Sequence, residues 1–173
     1  MTGRQPAELC DECGYVYGVI TRAEIPLALR ARSVDFRTRL DNLDDEVVRA
    51  HPLSGTWSVL EYACHVRDLF RVQRERVELA LVEDEPRFTP MRREERVLED
   101  RYNEQDPTTV GDELVGSAGR LSATFELLDE SGWTRTGVYN WPSTQVRTVE
   151  WIGQHTVHEA EHHLRDVDRL TAD

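Results

Sequence analysis

Residues 148–170, with the sequence TVEWIGQHTVHEAEHHLRDVDRL, decide the fold that this chain is expected to adopt. Thr148 is a good helix N-cap, and the residues that follow it show helical periodicity. An aliphatic stripe consists of Val149, Ile152, Val157, Ala160, Leu164 and Val167. The strip beside it consists of Trp151, His155, His158 and His162, with His163 at the aliphatic edge. The segment therefore predicts a helix in which one face builds core and the adjacent face builds a site.

His158 and His162 lie four residues apart, which places them about 40° apart around the helix axis. Two imidazoles in this arrangement can bind one ion, so a metal site is the leading functional hypothesis. An ion that keeps a position open for chemistry usually has at least three protein ligands. The candidate with helical support is His65. His51, in a turn before Pro52, is the weaker alternative.

The same helix also matches the zinc peptidase motif, in which Glu159 would be the general base between His158 and His162. Such enzymes usually take their third ligand from downstream. Only 11 residues follow His162, and they include no Glu or Cys. Arg165 and Asp168 stand where the extended form of the motif needs glycine and histidine. A zinc hydrolase is therefore kept as the lesser alternative.

The composition predicts one globular domain that stays in the cytoplasm. The chain has 173 residues, 39% hydrophobic and 31% charged, which is enough to bury a core without disulfides. No apolar run is long enough to span a membrane, and Met1–Pro6 lacks the pattern of a secretion signal. The net charge of -12 argues against nucleic-acid binding. All 21 cationic residues are arginine, which excludes lysine Schiff-base chemistry.

The chain contains three cysteines. Cys10 and Cys13 form a CxxC pair, half of a four-ligand zinc site, and no second pair of this kind completes a zinc ribbon. A reduced N-terminal turn and a redox or metal-linked pair both remain open interpretations. Cys64 lies beside His65 in a helical pattern and is interpreted as a small core residue, not as a nucleophile.

Three further segments show helical periodicity: residues 25–42, 56–81 and 107–128. The apolar stripe of the first consists of Leu27, Val34, Leu40 and Leu43. A long crossover, with room for one short helix, connects the second segment to the third, and residues 133–147 suggest a short hairpin or folded loop. The pattern predicts an all-α four-helix bundle with a crossover between its second and third helices. Such bundles place metal sites among facing helices.

Three stretches resemble the DinB-like superfamily of metal-binding four-helix bundles, which includes YfiT-like proteins. They are WSVLEYACHVRD at 57–68, EDRYNEQDP at 99–107 and HEAEHH at 158–163. The stretch CDECGY at 10–15 is similar to an actinobacterial branch. The resemblance spans nearly the whole chain and implies that residues 1–173 form a single metal-binding domain, with residues 1–20 as an N-terminal extension.

By this resemblance, His65, His158 and His162 are the three metal ligands, with positions left open for water or substrate. Neutral imidazoles suit zinc, nickel, iron or copper. Zinc is the ion expected first, on the grounds of its ligand chemistry and its availability. Several members of the superfamily are thiol transferases that use mycothiol or bacillithiol, including maleylpyruvate isomerase relatives. Those relatives can carry a carboxylate at the first ligand position of the last helix, where this assignment puts His158.

The function expected from the resemblance is metal-dependent transfer of a mycothiol-like thiol to a small electrophile, with the ion lowering the pKa of the thiol. The alternative is a non-catalytic module that binds a metal or small ligand in stress response. A homodimer would fit the family.

Glu61 and Asp68 lie one turn either side of His65, and His155 and Asp166 flank the pair on the last helix. These four are candidates to hydrogen-bond the ligands and fix their tautomers. The other interpretation of each is a solvated charge or a member of an ion pair on the helix surface.

Overall fold

A computed structural model describes residues 9–52, 54–140 and 143–172. Met1–Pro6, for which the sequence predicts no secretion signal, lie outside the described residues. The described residues form seven α-helices, one 3-10 helix (Tyr102–Glu104) and one hairpin. The helices are α1 (Glu24–Asn42), α2 (Asp45–Arg49), α3 (Val59–Val82), α4 (Arg93–Glu99), α5 (Pro107–Glu126), α6 (Glu130–Thr134) and α7 (Val149–Leu170). The hairpin strands are β1 (Thr136–Tyr139) and β2 (Gln145–Thr148). The four-helix bundle with a crossover is thereby confirmed.

The four long helices, α1, α3, α5 and α7, surround one core. Both α1 and α3 pack against α5 and against α7, so α1 and α3 lie on one diagonal of the bundle. Large fully buried side chains from all four fill its centre, among them Phe36, Phe70, Phe125, Leu60, Leu114, Leu121 and Ile152. Each such side chain contributes about 1.5–3 kcal/mol by leaving water. This arrangement makes α3 and α7 direct neighbours.

Side-chain caps set the starts of the long helices. In α3, Ser58 and Glu61 form a capping box, in which each side chain accepts a hydrogen bond from the other residue's backbone N–H. The helix therefore begins at Val59, two or three residues later than the apolar pattern predicts. Asp106 caps α5 ahead of Pro107, and Thr148 caps α7, as their positions in the sequence predict.

The buried face of α1 differs from the predicted stripe. Leu27 and Val34 are 63% and 53% exposed, whereas Leu29 and Phe36 are buried. Leu27 and Val34 are seven residues apart, and so are Leu29 and Phe36. The second pair is shifted from the first by two residues, which is a rotation of about 200° around the helix axis. The two pairs therefore lie on nearly opposite sides of α1. Packing of the phenylalanine ring into the core buries more apolar area, which decides between the two faces.

The crossover and the hairpin build a wall beside α3. The strands pair antiparallel, with Tyr139 opposite Gln145. The backbone N–H of Phe88 donates to the Val138 carbonyl at 3.1 Å, and that of Val138 donates to the Pro86 carbonyl at 2.8 Å. These bonds hold the crossover against β1.

The Gly137→Ala variant is expected to lose about 1–3 kcal/mol of unfolding free energy, because a Cβ at this position would overlap the Phe88 ring. Gly119→Ala in α5 is the matched control. Its Cβ would meet nothing within 4 Å, so this variant should gain about 0.5–1 kcal/mol from helix propensity. Urea denaturation measures both changes. A Gly137→Ala protein as stable as the parent would contradict the packing of the crossover on β1.

Within the described part of the chain, no helix combines the length and the apolar character that a membrane span requires.

Candidate functional site

Three potential metal ligands converge between α3 and α7. His65 lies on α3, and Glu159 and His163 lie one turn apart on α7. Each contributes a ligand atom, and these atoms all lie within 4.8 Å of one another. His65 and His163 are 2% and 7% exposed, and their ring centroids are 4.9 Å apart. We call these three residues the His–Glu–His cluster.

The imidazoles of this cluster have unused nitrogen atoms. Both ring nitrogens of His65 and the Nε2 atom of His163 are buried without a hydrogen-bond partner among the described residues. A buried polar atom left in this state costs about 1–3 kcal/mol, so proteins normally pair it. Two imidazoles and a carboxylate are a donor set that a divalent ion accepts. The residues therefore fit a bound metal.

Electrostatics favour the metal-binding protonation states of His65 and Glu159. Burial, with the charge on His163 as a smaller cause, lowers the pKa of His65 to about 3, so its imidazole is neutral near pH 7. Burial alone would raise the pKa of Glu159. The hydrogen bond to His158 and the charges of His155 and His163 outweigh it and hold the pKa below the ordinary range. A neutral imidazole and an ionised carboxylate are the forms that bind metal ions.

Asp166 fixes the orientation of His163. Its Oδ2 atom lies 2.9 Å from Nδ1 of His163. Burial opposes ionisation of Asp166, but the hydrogen bonds to His163 and Arg169 lower its pKa. The ionised carboxylate keeps the proton of His163 on Nδ1, which leaves the Nε2 lone pair for a metal. The sequence predicts that Asp166 orients His158 or His162, whereas the imidazole that it hydrogen-bonds in the structure is that of His163.

Aromatic rings cover the cluster. The Trp57 ring centroid lies 5.0 Å from that of His65, and the Tyr62 ring centroid lies 5.2 Å from that of His163. Such apolar cover limits access of water to the ligands and strengthens electrostatic interactions there.

A cavity of about 340 Å³ opens beside the cluster, a size suited to a small molecule. His65 and Glu159 form part of its wall. The remaining lining comes from α3, the crossover, the end of β1 and α7, and includes Leu69, Arg76, Met91, Tyr139, Asn140 and His155. A ligand in this cavity would therefore contact two residues of the His–Glu–His cluster.

A second set of ligand atoms lies on the neighbouring strip of α7. Cys10, Cys13, His158 and His162 each offer one atom, all within 4.8 Å of one another. We call them the Cys–His cluster. Nε2 of His158 and Nδ1 of His162 are buried without hydrogen-bond partners among the described residues. The two clusters adjoin, because Nδ1 of His158 lies 3.3 Å from Oε1 of Glu159.

The structure therefore does not bring the three predicted ligands together. His65 faces Glu159 and His163, whereas His158 and His162 face the N-terminal cysteines. Helix geometry explains the division: the pairs 158/162 and 159/163 are offset by one residue, or about 100°, and contact different neighbours. On the face of α7 that meets His65, the first position of the pair is therefore a carboxylate, Glu159, and not His158.

Two further sets of potential ligands overlap these clusters: His155 with His158 and Glu159, and His162 with His163 and Asp166. In each set, at least one imidazole already has a hydrogen-bond partner. Tyr17 bonds Nδ1 of His155 at 2.8 Å, and Asp166 bonds Nδ1 of His163. These contacts orient side chains around the two clusters.

Glu61 and Asp68 do not fix the tautomer of His65, since both of its ring nitrogens lack hydrogen-bond partners. Glu61 caps α3 and bonds Nε2 of His51 at 2.8 Å. Asp68 accepts hydrogen bonds from Arg67 and from Tyr102. His155, the remaining residue expected to orient a ligand, instead stacks on Trp151 and lines the cavity.

Cys64 is fully buried beside the site. Burial raises the pKa of its thiol to about 12, so it carries almost no thiolate near neutral pH. The interpretation of Cys64 as a core residue agrees with this environment.

Sequence reasoning missed His163 as a potential ligand and treated Glu159 only as a base. The signal was present, because HEAEHH contains both a His-x-x-x-His pair and a Glu-x-x-x-His pair. It also missed Tyr17, whose hydroxyl contacts His155 and His158. No sequence signal indicates that contact, which spans more than 130 residues of chain.

Comparisons with known proteins identify the family of the chain and structures of similar fold. A sequence model of the DinB superfamily matches residues 28–167. The structure of YfiT from Bacillus subtilis, described as a probable metal-dependent hydrolase with an unusual four-helix bundle topology, has a TM-score of 0.79 and 18% identity. That similarity covers 97% of this chain and 91% of YfiT. No curated protein is significantly similar to the chain in sequence.

The crystal structure of a mycothiol-dependent maleylpyruvate isomerase is also similar, with a TM-score of 0.69 and 16% identity. The similarity covers 86% of this chain and 61% of the isomerase, so the chain corresponds to only part of that enzyme. At these identities both structures show a shared fold.

Proposed function

Because the chain belongs to the DinB superfamily, as its motifs predicted, we propose that it is a metal-dependent transferase. Its substrates would be a low-molecular-weight thiol of the mycothiol class and a small electrophile. The observation that carries this proposal is the convergence of His65, Glu159 and His163, with unpartnered nitrogen atoms, at the wall of a small-molecule cavity.

His65, Glu159 and His163 would hold the ion, with zinc as the default. A three-residue donor set leaves coordination positions open, as catalytic sites require. When bound there, the ion lowers the pKa of a coordinated thiol. Asp166 keeps the lone pair of His163 directed at the site, and the rings of Trp57 and Tyr62 limit water access.

The nucleophile is expected to come from outside the protein. Of the three cysteines, Cys64 is buried with a raised pKa, and Cys10 and Cys13 belong to the Cys–His cluster. No cysteine therefore lies in the cavity wall, and an external thiol supplies the missing reactive group. The similarity to a mycothiol-dependent enzyme supports this choice of thiol.

Arg76 is the residue that would bind a carboxylate of the electrophile, in a wall that also contains Arg92, Arg93, Glu94, Glu95 and Glu159. Arg76 is 8% exposed, and its guanidinium donates to the Tyr139 hydroxyl and to the Thr89 carbonyl, both at 2.8 Å. Among the described residues no carboxylate pairs with Arg76, and its Nε atom has no hydrogen-bond partner. A buried cation without an opposite charge attracts an anionic group.

A metal-dependent hydrolase is the second candidate function, favoured by the similarity to YfiT. Its assigned ligands would be the same three residues. In this arrangement Glu159 belongs to the donor set, which weakens its earlier assignment as a general base. The non-catalytic binding module is the third candidate and predicts metal binding without turnover.

Thiol consumption by the zinc-loaded protein, measured with a panel of small electrophiles, tests this proposal. His163→Ala should slow the reaction by more than about 100-fold, since losing even an outer partner of a ligand costs about 10–100-fold. His51→Ala is the matched control. It removes a half-exposed histidine bonded to Glu61 and should leave the rate unchanged. Carboxylate electrophiles should react faster than their amides.

The outcomes separate the three candidates. Ester or amide hydrolysis without any thiol requirement would favour the hydrolase. Stoichiometric metal with neither activity would favour the binding module. Equal rates of thiol consumption by the His163→Ala and His51→Ala variants would contradict the assignment of the His–Glu–His cluster as the catalytic metal site.

A further inference from the structure

We propose that the Cys–His cluster is a structural zinc site that fastens the N-terminal segment, residues 9–20, to α7. The four donors come from two distant parts of the chain: Cys10 and Cys13 from a turn, and His158 and His162 from one face of a helix. This proposal concerns a second site and is independent of the proposed transferase function.

The four donor atoms would fill every coordination position of a tetrahedral zinc ion, and their types are those that zinc prefers. Two thiolates and two imidazoles in tetrahedral arrangement are typical of structural zinc, with all four positions filled by protein. Zinc bond lengths in such sites imply ligand-to-ligand distances of about 3.3–3.8 Å. The observed limit of 4.8 Å leaves only small side-chain adjustments to reach that geometry. Thiolate donors also disfavour magnesium and calcium.

The unused nitrogen atoms point to an ion. Nε2 of His158 and Nδ1 of His162 are buried without hydrogen-bond partners among the described residues. The other nitrogen of each ring already has a polar neighbour. Nδ1 of His158 lies 2.9 Å from the Tyr17 hydroxyl, and Nε2 of His162 lies 3.4 Å from a Glu12 carboxylate oxygen. Ligand histidines in zinc sites commonly have such outer partners.

The cysteine turn is already in a suitable conformation. The backbone N–H of Gly14 donates to the Cys10 carbonyl at 2.8 Å, and that of Cys10 donates to the Tyr15 carbonyl at 2.9 Å. Gly14 has a φ of 72°, a left-handed conformation that glycine adopts without strain. The turn directs both thiols towards α7.

The ion would add a cross-link to a segment that already packs Tyr15 into the core of the bundle. Residues 9–20 also contact α7 through polar groups: the Tyr15 hydroxyl donates to Gln154 at 3.2 Å, and the Tyr17 ring stacks on Trp151. Metal ligands that are far apart in sequence convert binding energy into folding energy. Zinc is therefore expected to strengthen the attachment of this segment to α7.

Cobalt(II) substitution tests the proposal, because only a site with cysteine ligands gives thiolate-to-cobalt charge-transfer absorption. The full chain should show these bands and bind two equivalents of metal. A Cys10→Ser, Cys13→Ser double variant should lose the bands and one equivalent. His65→Ala, the matched control in the other cluster, should keep the bands. A wild-type protein that binds one equivalent with the bands would uphold the inference while contradicting the proposed catalytic centre.

Cysteine alkylation of the wild-type protein provides a second measurement that needs no folded variant. Under reducing conditions, zinc should protect Cys10 and Cys13 from alkylation, and a chelator should expose both to the reagent. Two cysteines that react equally fast with and without chelator would overturn the inference. Charge-transfer bands that persist in the double variant, or a Cys10–Cys13 disulfide under reducing conditions, would also overturn it.

Discussion

The His65→Leu variant is expected to lose metal at the His–Glu–His cluster and yet, in chelator, to gain about 1–3 kcal/mol of unfolding free energy. Both ring nitrogens of His65 are buried without partners, and an aliphatic side chain of similar volume has none to desolvate. Such a gain is typical of sites where function is kept at the expense of stability. Transferase activity should fall by more than about 100-fold.

Urea denaturation in chelator measures the stability change, and metal analysis measures the loss of the ion. His51→Leu is the matched control, since His51 is half-exposed and bonded to Glu61, and its replacement should bring no such gain. A His65→Leu protein that is less stable than the metal-free parent would contradict the cost assigned to the unpartnered nitrogens of His65. Retained metal would contradict the assignment of His65 as a ligand.

The Asp68→Asn variant is expected to lose about 3–5 kcal/mol of unfolding free energy, because it leaves a buried charge poorly compensated. Asp68 is 4% exposed and accepts hydrogen bonds from Arg67 at 2.9 Å and from the Tyr102 hydroxyl at 2.7 Å. Arg67 is itself 5% exposed and would keep only the partly exposed Glu113 as a charged partner. Asp168→Asn, in a surface pair with Arg39, should cost no more than about 1 kcal/mol.

The stability contributed by Asp68 should depend on pH. Burial opposes ionisation of Asp68, but the hydrogen bond and charge of Arg67 outweigh it and lower its pKa from the ordinary value of 3.8. A lowered folded-state pKa means that the contribution is complete above the ordinary value and disappears as pH falls through the folded-state value. The difference in urea midpoint between wild type and Asp68→Asn should therefore shrink in acid. A difference that stays constant would contradict this electrostatic origin.

The long helices could be predicted because their signals are local. Thr148 and the pair Asp106-Pro107 mark helix starts through contacts with residues three positions away, and the structure keeps those contacts. The buried face of α1 could not be chosen in the same way. Leu27 and Leu29 both belong to apolar rows, and only packing against α5 and α7 determines that the row containing Leu29 is buried.

The candidate site shows the same division. The sequence by itself determined that α7 would present a strip of histidines beside an aliphatic stripe, because helix periodicity is a property of consecutive residues. It also placed a CxxC pair at Cys10 and Cys13. The tertiary structure decided which partners these groups meet: His65 lies opposite Glu159 and His163, and the cysteine turn lies opposite His158 and His162. A rotation of about 100° separates the two faces, and only the packing of α3 and the N-terminal segment around α7 selects which face each one contacts.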